Sequence, residues 1–160
     1  KAVTTAQAAE ARFRWLSRVA ERLGCQVYVS DYGDTPWGGR GGRVPDGPRV
    51  VQVNIGEPLD RIAPAVLEAV EEALGTGTGI DPEAARWLAG TMVMLHELGH
   101  ALLGHARGSE PRKLKEADAD RFVWRAAAIL TADITEEEAA ETLERIGAEM
   151  ARERAPAPAH

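Results

Sequence analysis

Apolar and polar positions follow two different periods along the first third of the chain. After a capping box at Thr4–Gln7, apolar residues at helical spacing predict a first helix that ends at Gly24. The members of this stripe are Ala8, Phe13, Leu16, Val19, Ala20 and Leu23. A two-residue alternation then predicts strands over Gln26–Ser30 and Arg49–Asn54. Residues 31–48 between them contain six glycines and three prolines, which predicts irregular structure.

The remainder of the chain predicts four more helices. The first is expected over 60–74 and is followed by a glycine-rich link at 75–79. The second begins at the N-cap signal Asp-Pro-Glu and covers about 81–103. In its second half apolar residues occur on almost every side of the helix, which predicts a helix at the centre of the core. Two further helices are expected over about 114–130 and 135–152, the last one opened by a capping box.

This order of elements predicts an α+β fold that is mainly helical, with a small sheet of two to three strands. A length of 160 residues suits one hydrophobic core, so we expect a single domain over 1–154. The Ala/Pro sequence at 155–160 is expected to be a disordered tail.

Charge, hydropathy and cysteine content limit the binding partners and the location that the sequence predicts. The net charge of −6, without a basic run, predicts no direct binding to nucleic acid. The apolar stretches are too short for a membrane span, so no membrane association is expected. Cys25 has no second cysteine with which to form a disulfide, which favours a cytoplasmic location.

Residues 96–100, His-Glu-Leu-Gly-His, carry the most specific chemical signal in the chain. On a helix, His96 and His100 lie one turn apart on the same face, so both imidazoles can bind one metal ion. Glu97 is the adjacent residue, and its carboxylate can act on water beside the ion without being a ligand. The motif predicts two zinc ligands and one general base of a metalloprotease-type site.

A third ligand is expected from the next helix, because a catalytic zinc ion takes three protein ligands. Glu116 and Asp120 are four residues apart and share a helix face, and the turn at 104–111 can bring that face back to the histidines. The longer Glu116 side chain suits the ligand position, and Asp120 suits a hydrogen bond to the free ring N–H of a ligand histidine. Asp118 competes for the ligand position but points about 200° away from Glu116.

Three local sequences resemble the ImmA/IrrE family of small zinc metallopeptidases: His96-Glu-Leu-Gly-His100, Leu102-Leu-Gly-His105 and Glu116-Ala-Asp-Ala-Asp-Arg-Phe122. The resemblance implies a minimal zincin fold around a central HExxH helix. It also implies a gluzincin-type site with Glu116 as third ligand and Asp120 as its companion. Several members of the family cleave a DNA-bound repressor or regulator. The chain departs from the family pattern at 123–126, where Val-Trp-Arg-Ala stands. The helix-turn-helix domain of many members is not seen in this sequence.

Together these features predict a zinc-dependent endopeptidase with one Zn²⁺ per chain and a protein or peptide substrate. Glu97 is the expected general base, and Tyr28, Tyr32 and His105 are candidate substrate or oxyanion contacts. Strand 49–54, if it lies at a sheet edge, can bind an extended peptide by strand addition, with 31–48 as a mobile rim. The alternative is a regulatory module that keeps zinc for structure and binds a protein without cutting it. The free carboxylate of Glu97 disfavours this alternative, because a structural site gains nothing from it.

Overall fold

The computed structural model describes residues 6–30, 38–43, 49–55, 82–104 and 112–154. Within them the fold is α+β and mostly helical, as predicted. In chain order the elements are α1 (Ala6–Arg22), β1 (Cys25–Ser30), β2 (Gly38–Arg43), β3 (Arg49–Asn54), α2 (Pro82–Leu102), α3 (Arg112–Ala126), a 3₁₀ helix (Ala127–Leu130) and α4 (Glu136–Arg154). The helix predicted over 60–74, the link at 75–79 and the tail at 155–160 lie outside the described residues.

Within the described residues the sheet contains three strands in the order β1-β3-β2, with β1 parallel and β2 antiparallel to β3. Residues 38–43 form a strand inside the segment predicted to be irregular, so that prediction is wrong. Pairing uses backbone groups, so a strand of glycine and arginine can join a sheet without any apolar pattern. Strand 49–54 lies at the centre of the described sheet, so the edge position on which strand addition to it depends is not met.

Glycines occupy the β2 positions opposite the buried valines of β3. Gly39 pairs with Val53 and Gly41 with Val51, so the two glycines share the face of the sheet that contributes to the core. The same strand packs against α2.

The apolar stripe of α1 is confirmed with one shift. Phe13, Leu16, Val19, Ala20 and Leu23 are all buried in the core. Ala8 is exposed, and its neighbour Ala9 occupies the buried position instead. The helix stops where predicted, because Gly24 has a φ of 80°, a conformation that favours glycine.

Helix α2 is the central element of the core, as its apolar sequence predicts. Its residues Val93, Met94, Leu95, Leu98 and Ala101 are buried. The helix packs against α1, α3, β2 and β3. The motif at 96–100 is therefore held from several sides by packed structure rather than carried on a surface loop.

Helix α4 begins with the predicted capping box. Thr135 Oγ1 accepts a hydrogen bond of 3.1 Å from the Glu138 backbone N–H, and the Thr135 N–H donates to Glu138 Oε1 at 3.3 Å. The helix predicted over 114–130 is instead divided into α3 and the short 3₁₀ helix. Among the described helices, none has the length and apolar content needed to cross a membrane.

Cys25 should react slowly with thiol reagents in the folded protein. Its side chain is buried at the start of β1, and burial raises the pKa of the thiol to about 11. Since only the thiolate reacts, we expect alkylation by iodoacetamide at pH 8 to be about a hundredfold slower than in the urea-unfolded chain. Mass spectrometry of timed samples measures both rates. Equal rates would show that the thiol is accessible and the junction between α1 and β1 is open.

Candidate metal site

Two imidazoles stand side by side on α2. His96 and His100 are four residues apart, and their ring centroids are 4.8 Å apart with the ring planes at 80°. Their Nε2 atoms are separated by 3.2 Å. Both side chains are largely enclosed, with exposed fractions of 19% for His96 and 8% for His100. The packing of α2 thus brings the two ring nitrogens to one point, as the spacing of the motif predicts.

Helix α3 brings a carboxylate to the same point. Glu116 Oε2 lies 3.0 Å from His96 Nε2, and Glu116 Oε1 lies 3.2 Å from His100 Nε2. One nitrogen from each histidine and one oxygen from Glu116 all lie within 4.8 Å of one another. Within the described part of the chain, these three residues form a group that could hold a metal ion. The side chain of Glu116 is 47% exposed, so the group is open to solvent on the α3 side.

Asp120 contacts the other nitrogen of His96. Its Oδ1 atom lies 3.0 Å from His96 Nδ1, on the opposite side of the ring from Nε2. A carboxylate in this position can accept a hydrogen bond from Nδ1–H, which favours the tautomer whose Nε2 is free to bind a metal ion. The structure thus places Asp120 beside His96, and its role in orienting a metal ligand stays a prediction.

Glu97 is a buried carboxyl group that follows His96 directly in α2. Its exposed fraction is 7%. Its pKa is raised to about 8, first because burial disfavours the charged form and second because the negative charge of Glu116 is close by. The effect of Glu116 indicates that the two carboxyl groups lie in the same part of the structure. A group with this pKa can both accept and release a proton near neutral pH.

Asp118 is directed elsewhere. It is buried, and its Oδ1 atom accepts a hydrogen bond from Arg121 Nη2, one turn further along α3. The group formed by the histidines and Glu116 does not include it. This agrees with the angular argument that Asp118 and Glu116 cannot face the same ion.

Tyr28 is not brought to the metal group. It pairs with Gln52 in the sheet, on the face opposite that of the buried Val51 and Val53. Its side chain is exposed, and its hydroxyl donates to Gln26 Oε1 at 3.0 Å. Tyr32 and His105, the other two predicted substrate or oxyanion contacts, lie outside the described residues.

The structure adds two features that the sequence pattern did not reveal. One is β2, which packs against the helix that carries the histidines. The other is a close contact between Gly99, inside the motif, and Phe122 on α3. The sequence did hold one sign of the contact between Gly99 and Phe122. A glycine inside a helix lowers helix stability, so its presence there often means that another element packs closely against it.

Comparisons with protein-family models, with curated proteins and with solved structures give no match for this chain. The features that bear on function are therefore the side chains themselves: two imidazoles, the partly exposed carboxylate of Glu116 and the buried carboxyl group of Glu97.

Proposed function

We propose that the protein is a zinc-dependent endopeptidase. The observation that carries this proposal is the meeting of His96, His100 and Glu116 at one point, with the buried carboxyl group of Glu97 beside them. Two imidazoles and one carboxylate are a ligand set used by catalytic zinc, which leaves a fourth position for water or substrate.

The spacing of the donor atoms suits zinc. Ligand atoms at Zn–N and Zn–O distances of about 2.0–2.1 Å in a tetrahedron are separated from one another by about 3.3 Å. Here the two Nε2 atoms are 3.2 Å apart, Glu116 Oε2 lies 3.0 Å from His96 Nε2, and Glu116 Oε1 lies 3.2 Å from His100 Nε2. With one ligand atom from each residue, the three atoms lie within 4.8 Å of one another, so small side-chain movements suffice to bring them to a common ion. The 3.0 Å separation of His96 Nδ1 and Asp120 Oδ1 supports the same assignment, because a carboxylate there favours the tautomer that binds through Nε2.

The residues around the group then have separate tasks. His96, His100 and Glu116 would hold the ion, and a zinc ion there would supply Lewis acidity for the hydrolysis of a peptide bond. Glu97 accepts a proton from the attacking water and delivers it to the amine nitrogen as the peptide bond breaks. Its burial keeps bulk water from competing for that proton.

For the substrate we propose an extended segment of a regulatory protein in the cytoplasm, as in the ImmA/IrrE-like peptidases with which the motifs agree. Strand β2 replaces β3 as the proposed site of strand addition. It is an edge strand of the described sheet, and it packs against the helix that bears the histidines. A peptide added to this edge would run beside the metal group and hydrogen-bond through its backbone.

Zinc content and its removal test this proposal. We expect about one zinc per chain in metal analysis, and a thermal midpoint roughly 10 °C lower after chelation, since a tight ligand at large excess adds about 4 kcal/mol to the stability of a domain this size. A peptide library should be digested by the zinc-loaded protein and spared when chelator is present. Tight zinc binding without cleavage would instead support the non-catalytic binding module, and absence of zinc binding would contradict both.

A further inference from the structure

Gly99 lies between the two histidine ligands, on the side of α2 that meets α3. It is about 60° round the helix from His96 and 100° from His100. A Cβ atom built on Gly99 would lie 3.1 Å from each of three Phe122 atoms: Cβ, Cγ and Cδ1. Fewer than one in ten real Cβ contacts are this close, so a Cβ atom at position 99 requires Phe122 to give way by a few tenths of an ångström.

Phe122 has little freedom to give way. Its side chain is fully buried, and so are Ala119 and Ala126, which lie one turn before and one turn after it on the same face of α3. One of the three contact atoms is the Phe122 Cβ, which is bonded directly to the backbone. A larger residue at position 99 can therefore be accommodated only if α3 itself moves away from α2, by a few tenths of an ångström.

Such a movement matters for the metal group because α3 carries the third ligand. Metal–ligand distances are normally kept within about 0.2 Å of their preferred values. Glu116 reaches the two histidines across the gap between α2 and α3, and it lies 3.0 and 3.2 Å from their Nε2 atoms. We infer that Gly99 and Phe122 are positioning residues: their close contact sets the distance at which Glu116 completes the metal site. The inference rests on the proposed metal-binding function.

Three glycine variants separate positioning from general stability. Gly99→Ala changes the contact with Phe122. Gly90→Ala, in the same helix, places its Cβ 3.0 Å from Ile55 and 3.2 Å from Phe13, and Gly147→Ala in α4 places its Cβ 3.1 Å from Leu102. Each variant makes one contact between α2 and a neighbouring part of the structure equally tight. Only in Gly99→Ala is that neighbour α3. Urea unfolding measures stability, and competition with a chelating indicator measures the affinity for zinc and for cobalt(II).

We expect all three variants to lower the urea midpoint. Only Gly99→Ala should also weaken metal binding, by at least tenfold, and change the visible absorption of the cobalt(II) site. If Gly99→Ala does not fold, we would compare Phe122→Leu with Phe13→Leu as the control. Both phenylalanines are buried, but of the two only Phe122 contacts Gly99. In that pair, the loss of affinity is expected for Phe122→Leu alone.

The outcomes distinguish this inference from the proposed function. If the wild-type protein binds zinc and Gly99→Ala binds it within twofold, the positioning role is wrong and the metal site stands. Equal weakening in all three glycine variants would also overturn the positioning role, because it would reflect stability alone. If the wild-type protein binds neither zinc nor cobalt(II), the metal site itself is wrong and the positioning role with it.

Discussion

Glu97→Gln is expected to keep the fold and the bound zinc while losing peptide hydrolysis. The amide has nearly the shape of the carboxyl group it replaces, but it cannot accept a proton from water. Removal of a general base typically lowers the rate about 10²–10⁴-fold, and we expect a loss of at least this size in kcat. Because Glu97 is buried and is not one of the three grouped ligands, affinity for zinc should change little.

The measurement is a progress curve on a peptide that the zinc-loaded wild-type protein cuts. Glu83→Gln is the matched control, since it makes the same chemical change at an exposed position near the start of α2. It should retain wild-type activity. A Glu97→Gln protein that cuts the peptide at the wild-type rate would exclude Glu97 as the base and with it the mechanism proposed here.

Glu116→Ala is expected to have the largest effect on metal content, with loss of most of the zinc. It removes one of three ligands, and no other carboxylate of α3 is placed to substitute: Asp118 is bound to Arg121, and Asp120 contacts the far side of the His96 ring. Asp120→Ala should weaken zinc binding by about 10–100-fold, because it removes the group that fixes the tautomer of His96.

Asp118→Ala completes the series as a control on the same helix. It should reduce stability modestly, since it removes the hydrogen bond between the buried Asp118 and Arg121, and should leave zinc affinity close to that of the wild type. Metal analysis after dialysis and competition titrations measure the order of zinc affinity among the three variants. Zinc retained in Glu116→Ala but lost in Asp118→Ala would reverse the assignment of the third ligand.

The helices and most of the site were predictable from the sequence because their signals are local. The apolar stripe of α1, the capping box of α4 and the i, i+4 pair of histidines each depend on residues within a few turns of one another. The pairing of Glu116 with the histidines was also predictable in outline, since a short connection between helices makes them antiparallel neighbours. Whether zinc binds there, and whether the protein cuts a substrate, stay predictions.

The sheet was less predictable because its order is set by contacts distant in sequence. Nothing in Arg49–Asn54 distinguishes a central strand from an edge strand, and nothing in Gly38–Arg43 indicates a strand at all. Likewise, the spacing of the motif identifies His96 and His100, but the need for Gly99 between them becomes visible only when Phe122 is seen against it. Close approach between elements is a property of the folded pair and not of either sequence alone.

The strand order has a consequence for how the protein folds. Cys25 and Arg49 pair across 24 positions of chain, whereas β2 and β3 pair across as few as six, between Arg43 and Arg49. Loop closure favours the nearer partner, yet β2 is rich in glycine and has a weak tendency to form a strand by itself. The hairpin therefore depends on the α2 surface for its stability, and the sheet should assemble after the helical core. By the same reasoning, we expect β2 to be the strand that opens most easily in the native protein, and it packs against the helix that carries the two histidines.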